Sequence, residues 1–170
     1  LEEEIELAFA EGQSLDRVVP DARRRQLPEL FRGLGWHVIE LRWGARLRAR
    51  FARRGGAALR RRLETMSGAE YHRLLRMPPP GVRKALVAGP DGEPDRALDR
   101  LLAGVPDEDL AALVADVGGH DLEAIDAALA EAAERADRPT VILAQTIKGW
   151  GLPLAADPLN HTMLLSQAQI

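Results

Sequence analysis

The chain lacks cysteine altogether, which excludes disulfide bonds and thiolate chemistry. Aromatic residues make up only 4% of its 170 residues, and the only lysines are Lys84 and Lys148. No apolar run approaches the roughly 18 residues that a membrane-spanning helix needs, and no signal peptide is visible. These absences predict a cytoplasmic protein without a membrane partner.

The composition is otherwise that of a globular protein, with 46% hydrophobic residues and a formal net charge of -3. This charge gives no overall attraction to nucleic acid or to a membrane surface. The length suits one domain or part of a larger one. The chain begins at Leu1 without an initiator Met and ends on the apolar Ile170, which suggests a fragment, although a trimmed chain is an equal interpretation.

The segment Pro139 to Leu154 is the clearest structural signal in the sequence. Its apolar run 141–144 lies between a proline and the glycines of the loop 146–151, as in a strand that is buried on both faces. Such strands belong to parallel sheets, whose functional residues lie in the loops beyond the carboxyl ends.

A helix predicted from Ala22 to Leu34, a glycine at position 35 and an apolar strand from Trp36 to Leu41 form a second such unit. Pro28 conflicts with this helix, which alternatively begins there. Two units of this kind predict an α/β fold with a parallel sheet flanked by helices. The apolar residues of segment 1–10 recur at helical spacing, which predicts a helix there.

Residues 42–62 form a basic run without acidic residues. Its nine arginines are Arg42, Arg46, Arg48, Arg50, Arg53, Arg54, Arg60, Arg61 and Arg62. The run could bind a phosphate backbone, but its apolar residues recur at helical spacing and Gly55-Gly56 divides it. We interpret it as the solvated face of two helices, with no nucleic-acid partner.

The tetrapeptide Gly118-Gly119-His120-Asp121 places a titratable side chain beside two glycines. His120 is either on a mobile active-site loop or a surface histidine near the start of a helix, and the residues alone favour the second reading. Asp121 is well placed to cap the helix that follows. Lys148 is either an anion-binding side chain or an exposed loop lysine.

These pieces together resemble the homodimeric type of pyruvate dehydrogenase, the thiamine-diphosphate-dependent decarboxylating component, and its transketolase-like relatives. The matching segments begin at about residue 13 and keep the family's order. They are Gln13 to Asp16, Phe31 to Trp36, Gly55 to Leu59, Glu64-Thr65 with Tyr71, Gly118 to Asp121, and Pro139 to Leu154 with Asn160-His161. The resemblance implies a partial thiamine-diphosphate-binding fold. Residues 1–170 would be a single partial domain, the later part of the diphosphate-binding domain, with 42–115 as a mainly helical insertion.

The resemblance also implies site residues. His120 would be catalytic, on the mobile loop that closes over the substrate, while Gln13, Lys148 and His161 would bind the cofactor. In the family, a Gly-Asp-Gly motif and a later Asn-x-Gln hold Mg²⁺ through oxygen ligands. This sequence contains no Gly-Asp-Gly, and Glu11 aligns with the asparagine, so Glu11 and Gln13 would be the metal ligands. The family's strand before this motif is apolar, whereas here it reads EIELAFAEG.

The implied parent activity is decarboxylation of a 2-oxo acid such as pyruvate, followed by transfer of the two-carbon unit to a lipoyl group. The implied partners are the remaining portions of the same enzyme, a second copy in a homodimer, and a lipoyl acyltransferase component. The isolated chain would be incomplete and inactive. The alternatives are a transketolase-type transfer between sugars and a non-catalytic remnant that acts as an interaction module.

Overall fold

A computed structural model describes residues 5–10, 13–14, 17–18, 21–88, 93–157, 160 and 164–167, with side chains from residue 26 onward. Glu11 and His161 lie outside these ranges. None of the helices in them has both the length and the apolar character required to cross a bilayer.

The fold is built on a three-stranded parallel sheet. Strand β5 (Thr140–Gln145) lies in the centre, between β1 (Ile5–Ala10) and β4 (His37–Leu41). Thr140 pairs with both Ile5 and His37, and Ala144 pairs with both Phe9 and Leu41. All six residues of β5 are buried, as expected for a strand covered on both faces. The predicted α/β class, a parallel sheet flanked by helices, is therefore confirmed.

The first segment corrects one expectation. Residues 5–10 form strand β1 and not the helix that their apolar spacing predicted. The apolar spacing of these residues also suits a helix. Backbone pairing with β5, a strand far away in the sequence, stabilises the extended conformation instead. A short hairpin follows, in which β2 (Gln13–Ser14) pairs antiparallel with β3 (Arg17–Val18).

Helix α1 (Asp21–Gly33) leads into β4. It contains Pro28 in its interior, so the alternative start at that proline is wrong. Gly35 ends the turn with φ +85°, a left-handed conformation that glycine adopts without strain. The rings of Phe31 and Trp36 then pack edge to face across this turn, at 5.4 Å between centroids.

In the described residues between β4 and β5, six helices precede the 3-10 turn at Gly118–His120. They are α2 (Ala45–Phe51), α3 (Gly56–Thr65), α4 (Gly68–Leu75), α5 (Pro79–Val87), α6 (Arg96–Leu102) and α7 (Asp107–Val114). They share a leucine-rich core of their own, in which Leu47, Leu59, Leu86, Leu102 and Leu110 are completely buried. As predicted, the basic run is divided at the two glycines, since Gly55 precedes α3 and Gly56 is its first residue.

A 3-10 turn at Gly118–His120 and helix α8 (Leu122–Ala133) lead from this core to β5. The small residues Ala128 and Ala132 of α8 pack against Ile142 and Ala144 of β5 in a second apolar cluster. His37 at the start of β4 lies 2.8 Å from Glu131 of α8, which ties this helix to the sheet. Because this contact joins the end of α8 to the amino end of the strands, the turn before α8 lies at the other end of the sheet, beside the carboxyl end of β5.

Candidate functional site at the carboxyl edge of the sheet

Strands β4 and β5 are parallel, so both end at one edge of the sheet, at Leu41 and Gln145. The turn Gly118–His120 lies across this edge. The Gly118 amide donates a hydrogen bond to the carbonyl of Arg42, 3.2 Å away. Three segments that are distant in sequence therefore meet where parallel sheets place their functional loops.

The two glycines make this docking possible. A Cβ atom at Gly118 would lie 2.5 Å from the carbonyl carbon of Leu41, and one at Gly119 would lie 2.4 Å from the carbonyl oxygen of Gln145. Such distances are far below van der Waals contact, and both obstacles are backbone atoms. The glycines are therefore required for close approach, and both are buried.

His120 is half-buried in the middle of this edge. The amide of Ile147 donates a hydrogen bond to its Nε2 atom over 2.8 Å. Its ring also stacks on that of Trp150, with centroids 4.7 Å apart and planes inclined by 15°. The imidazole thus has a fixed position between the backbone and the side chain of the loop that follows β5.

This geometry determines which ring nitrogen of neutral His120 carries the proton. A nitrogen that accepts a hydrogen bond from an amide carries no proton, so the proton of the neutral ring resides on Nδ1. Burial lowers the pKa of His120 below its ordinary value of 6.5, because the charged form loses hydration. A neutral imidazole with an Nδ1–H donor can offer a hydrogen bond to a carbonyl or carboxylate oxygen.

Two aspartates beside the turn bind backbone amides. The Oδ1 atom of Asp121 accepts from Ala124 and caps α8, as predicted, while its Oδ2 atom accepts from Ala45 at the start of α2. Asp116 accepts from the amide of Leu47 over 2.9 Å. Both carboxylates thus serve as structural acceptors, which fix helix starts beside the site.

The loop after β5 is held by Asn160. Its Nδ2 atom donates to the carbonyls of Lys148, at 2.9 Å, and Leu154, at 3.1 Å. Gly149, between them, has φ +71°, and a Cβ atom there would lie 3.3 Å from the Asn160 amide nitrogen. The Lys148 side chain is half-buried in this loop.

The structure describes only some of the predicted site residues. His120 and Lys148 both lie in segments at the carboxyl edge. Gln13 is in β2, with its backbone alone described, whereas Glu11 and His161 lie outside the described residues. The roles predicted for all five residues remain predictions.

The expectation of an exposed or poorly ordered loop around His120 is wrong for this structure. The turn is a 3-10 helix whose glycines are buried and whose histidine is engaged on two sides. Glycine pairs occur both in mobile loops and at close backbone approaches, and here the second applies.

Trp150 and Asp116 are contributors that the sequence reasoning did not assign. Trp150 is more than half exposed, yet one face of it covers His120. An aromatic residue between two glycines of a loop, Gly149 and Gly151, was a signal that could have identified it. No comparable signal marks Asp116, whose role depends on contact with α2.

Within the described ranges, no group of three or more His, Asp or Glu side chains is arranged to hold a metal ion. Asp116 and Asp121, the carboxylates next to the turn, already accept hydrogen bonds from amides. The described residues therefore do not supply a ligand set for Mg²⁺.

Residues 111–169 match the family described as transketolase, thiamine diphosphate binding domain. The match covers just over a third of the chain and contains the end of α7, the glycine turn, α8, β5 and the loop after it. No curated protein matches the chain significantly. The match supports a transketolase-like family of thiamine-diphosphate-dependent enzymes, with thiamine diphosphate as the cofactor.

Proposed function

We propose that the chain is the later part of the diphosphate-binding domain of a thiamine-diphosphate-dependent 2-oxo acid dehydrogenase. Its substrate would be pyruvate, and its two-carbon product would pass to a lipoyl group. The observation that carries this proposal is the docking of the Gly118–Asp121 turn against the loop 146–151, inside the family match. The helical part 42–115 would be an insertion within this single partial domain.

In this proposal His120 acts as a hydrogen-bond donor to the substrate. Its Nε2 atom is occupied by the Ile147 amide, so Nδ1–H is the group available for a substrate oxygen. Because burial lowers its pKa, the ring stays neutral near pH 7 and does not require an anionic partner. Trp150 holds the ring plane and shields it from water on one side.

Thiamine diphosphate, when bound, would supply the carbanion chemistry, and the protein would supply position and exclusion of water. We propose Mg²⁺ as the metal of the complete protein, with Glu11 and Gln13 as its ligands from this chain. The side chains of both residues are undescribed, and the described carboxylates do not replace them.

The proposed partners follow from the same activity. A two-carbon unit needs an acceptor, which would be the lipoyl group of an acyltransferase component. The remaining portions of the enzyme and a second copy of it would complete the site, and the assembly would be cytoplasmic.

The proposal is tested by measuring the activity of the protein, expressed from its natural gene, on a panel of substrates. With thiamine diphosphate and Mg²⁺ present, we expect pyruvate to release carbon dioxide and to reduce an artificial electron acceptor. The variant His120→Ala should lower kcat by about 10²–10³-fold, the usual cost of removing one positioned hydrogen-bond donor to the developing negative charge. Lys84→Ala, on the exposed face of α5, is the matched control and should retain full activity.

The two alternatives give different results in this assay. Consumption of a ketose phosphate without carbon dioxide release would replace our proposal with a transketolase-type transfer. A protein that neither binds thiamine diphosphate nor turns over any substrate would be a non-catalytic interaction module.

A further inference from the structure

We propose that five arginines of α2, of the turn after it and of α6 form a docking groove for an acidic protein segment with interspersed apolar side chains. This surface, the arginine groove, has two parts, which are linked through the consecutive residues Arg53 and Arg54. Arg46 and Arg50 of α2 line the first part together with Arg53, which follows the end of that helix. Arg54 and Arg100 line the second.

The shape of the arginine groove suits a peptide. Its first part has a volume of about 200 Å³, with Val105 and Leu113 among its lining residues. Its second part has a volume of about 420 Å³ and includes Ala97 and Leu101. Cationic side chains thus stand beside apolar ones, a pairing that fits glutamate or aspartate residues alternating with leucine or valine.

These arginines are not engaged elsewhere in the described part of the chain. Neighbouring arginines of the same basic run have partners: Arg48 binds Asp121, Arg60 binds Glu64 and Arg62 binds Glu70. Among the side chains that the structure describes, none forms an ion pair or a hydrogen bond with the side chains of the five arginines of the groove. Their charge is therefore available to a partner.

A protein segment fits this surface better than a nucleic acid. Base stacking needs an open aromatic face, but Trp43 packs edge to face on Phe51 at 5.6 Å and is covered by the Arg42 guanidinium at 4.7 Å. Asp109 also lines the first part of the groove. A uniformly charged phosphate backbone would be repelled there, whereas a peptide can place a neutral residue opposite Asp109.

The test measures binding of a fluorescein-labelled twelve-residue peptide of alternating glutamate and leucine to the full chain by fluorescence anisotropy. We expect binding that weakens as salt rises, and at least about tenfold weaker binding of the same peptide with glutamine in place of glutamate. The double variant Arg53→Gln/Arg54→Gln removes one charge from each part of the groove and should weaken binding about five- to tenfold.

The matched control is Arg61→Gln/Arg73→Gln, which removes two exposed charges outside the groove and should change the affinity less than about twofold. Equal weakening in the two double variants would overturn the proposal, as would absence of binding to the acidic peptide. Tighter binding to a single-stranded oligonucleotide of twelve thymidines than to the peptide would also overturn it, in favour of nucleic acid. Circular dichroism of each variant identifies any that fails to fold. A misfolded Arg53→Gln/Arg54→Gln protein would be replaced by the single variant Arg100→Gln, with the same expected direction.

Discussion

At the scale of single residues, His120 couples the site to pH. Its folded-state pKa is lowered by burial, so the unfolded chain binds more protons than the folded chain as pH falls below about 6.5. The contribution of neutral His120 to stability is therefore complete above that pH and decreases as pH falls towards the lowered pKa.

The variant His120→Gln should lose this pH dependence, because glutamine keeps an acceptor for the Ile147 amide but does not titrate. Urea unfolding at pH 7.5 and at pH 5.5 measures the effect. The stability lost between these two values should be smaller in the variant than in the wild type. An equal loss in both proteins would show that His120 is not titrating as described.

Gly118 makes a second prediction at this scale. The variant Gly118→Ala must displace the backbone at Leu41, so it should lower the free energy of unfolding by about 1–3 kcal/mol. Gly33→Ala is the matched control, because beyond the neighbouring backbone of its own helix no atom lies within 4 Å of the added Cβ, and Gly33 is not among the glycines with positive φ. It should be neutral or slightly stabilising, and denaturant unfolding of both variants checks the pair.

At the scale of secondary-structure elements, Asp121 joins two helices. It caps α8 and also accepts from the Ala45 amide at the start of α2, whereas Asp95 caps α6 alone. We expect Asp121→Ala to cost about 2 kcal/mol or more and Asp95→Ala to cost about 1 kcal/mol, since a lost cap typically costs about 1 kcal/mol. Thermal unfolding compares the two, and a smaller loss for Asp121→Ala would contradict its double role.

The elements differ in how far the sequence could predict them. Strands β4 and β5 and the Asp121 cap followed from local patterns, because buried strands need apolar runs and helix starts need an acceptor. Strand β1 did not, since Ile5 and Phe9 are also spaced for a helix and only pairing with β5 decides between the two.

The same limit applies to the candidate site. The glycine pair was conspicuous in the sequence, but whether it permits motion or close packing depends on the backbone at Leu41 and Gln145. The stacking of Trp150 on His120 and the binding of Asp116 to α2 are likewise contacts between distant segments. Local sequence patterns do not encode contacts between distant segments. They therefore indicated where the site lies but not its geometry.

At the scale of the whole molecule, we expect the 170-residue chain to bind thiamine diphosphate and Mg²⁺ only weakly. The sequence lacks the Gly-Asp-Gly aspartate that holds the metal in the family, and the resemblance places the anionic Glu11 near the diphosphate. Loss of a metal ligand or its support commonly costs about 10–100-fold in affinity. Isothermal titration calorimetry with both components measures this. A dissociation constant in the low micromolar range would contradict the expectation.

The central position of β5 has a consequence for how the chain is made. Strands β1 and β4 are translated early, but each pairs with β5 and not with the other, and residues 42–139 separate β4 from β5. The helices within that interval have their own leucine core and need no strand to bury it. During synthesis on a ribosome, the helical part can therefore become compact first. The edges of β1 and β4 that pair with β5 stay unpaired until Thr140–Gln145 has been made. Until that strand emerges, these edges remain open to pairing with a neighbouring copy of the chain.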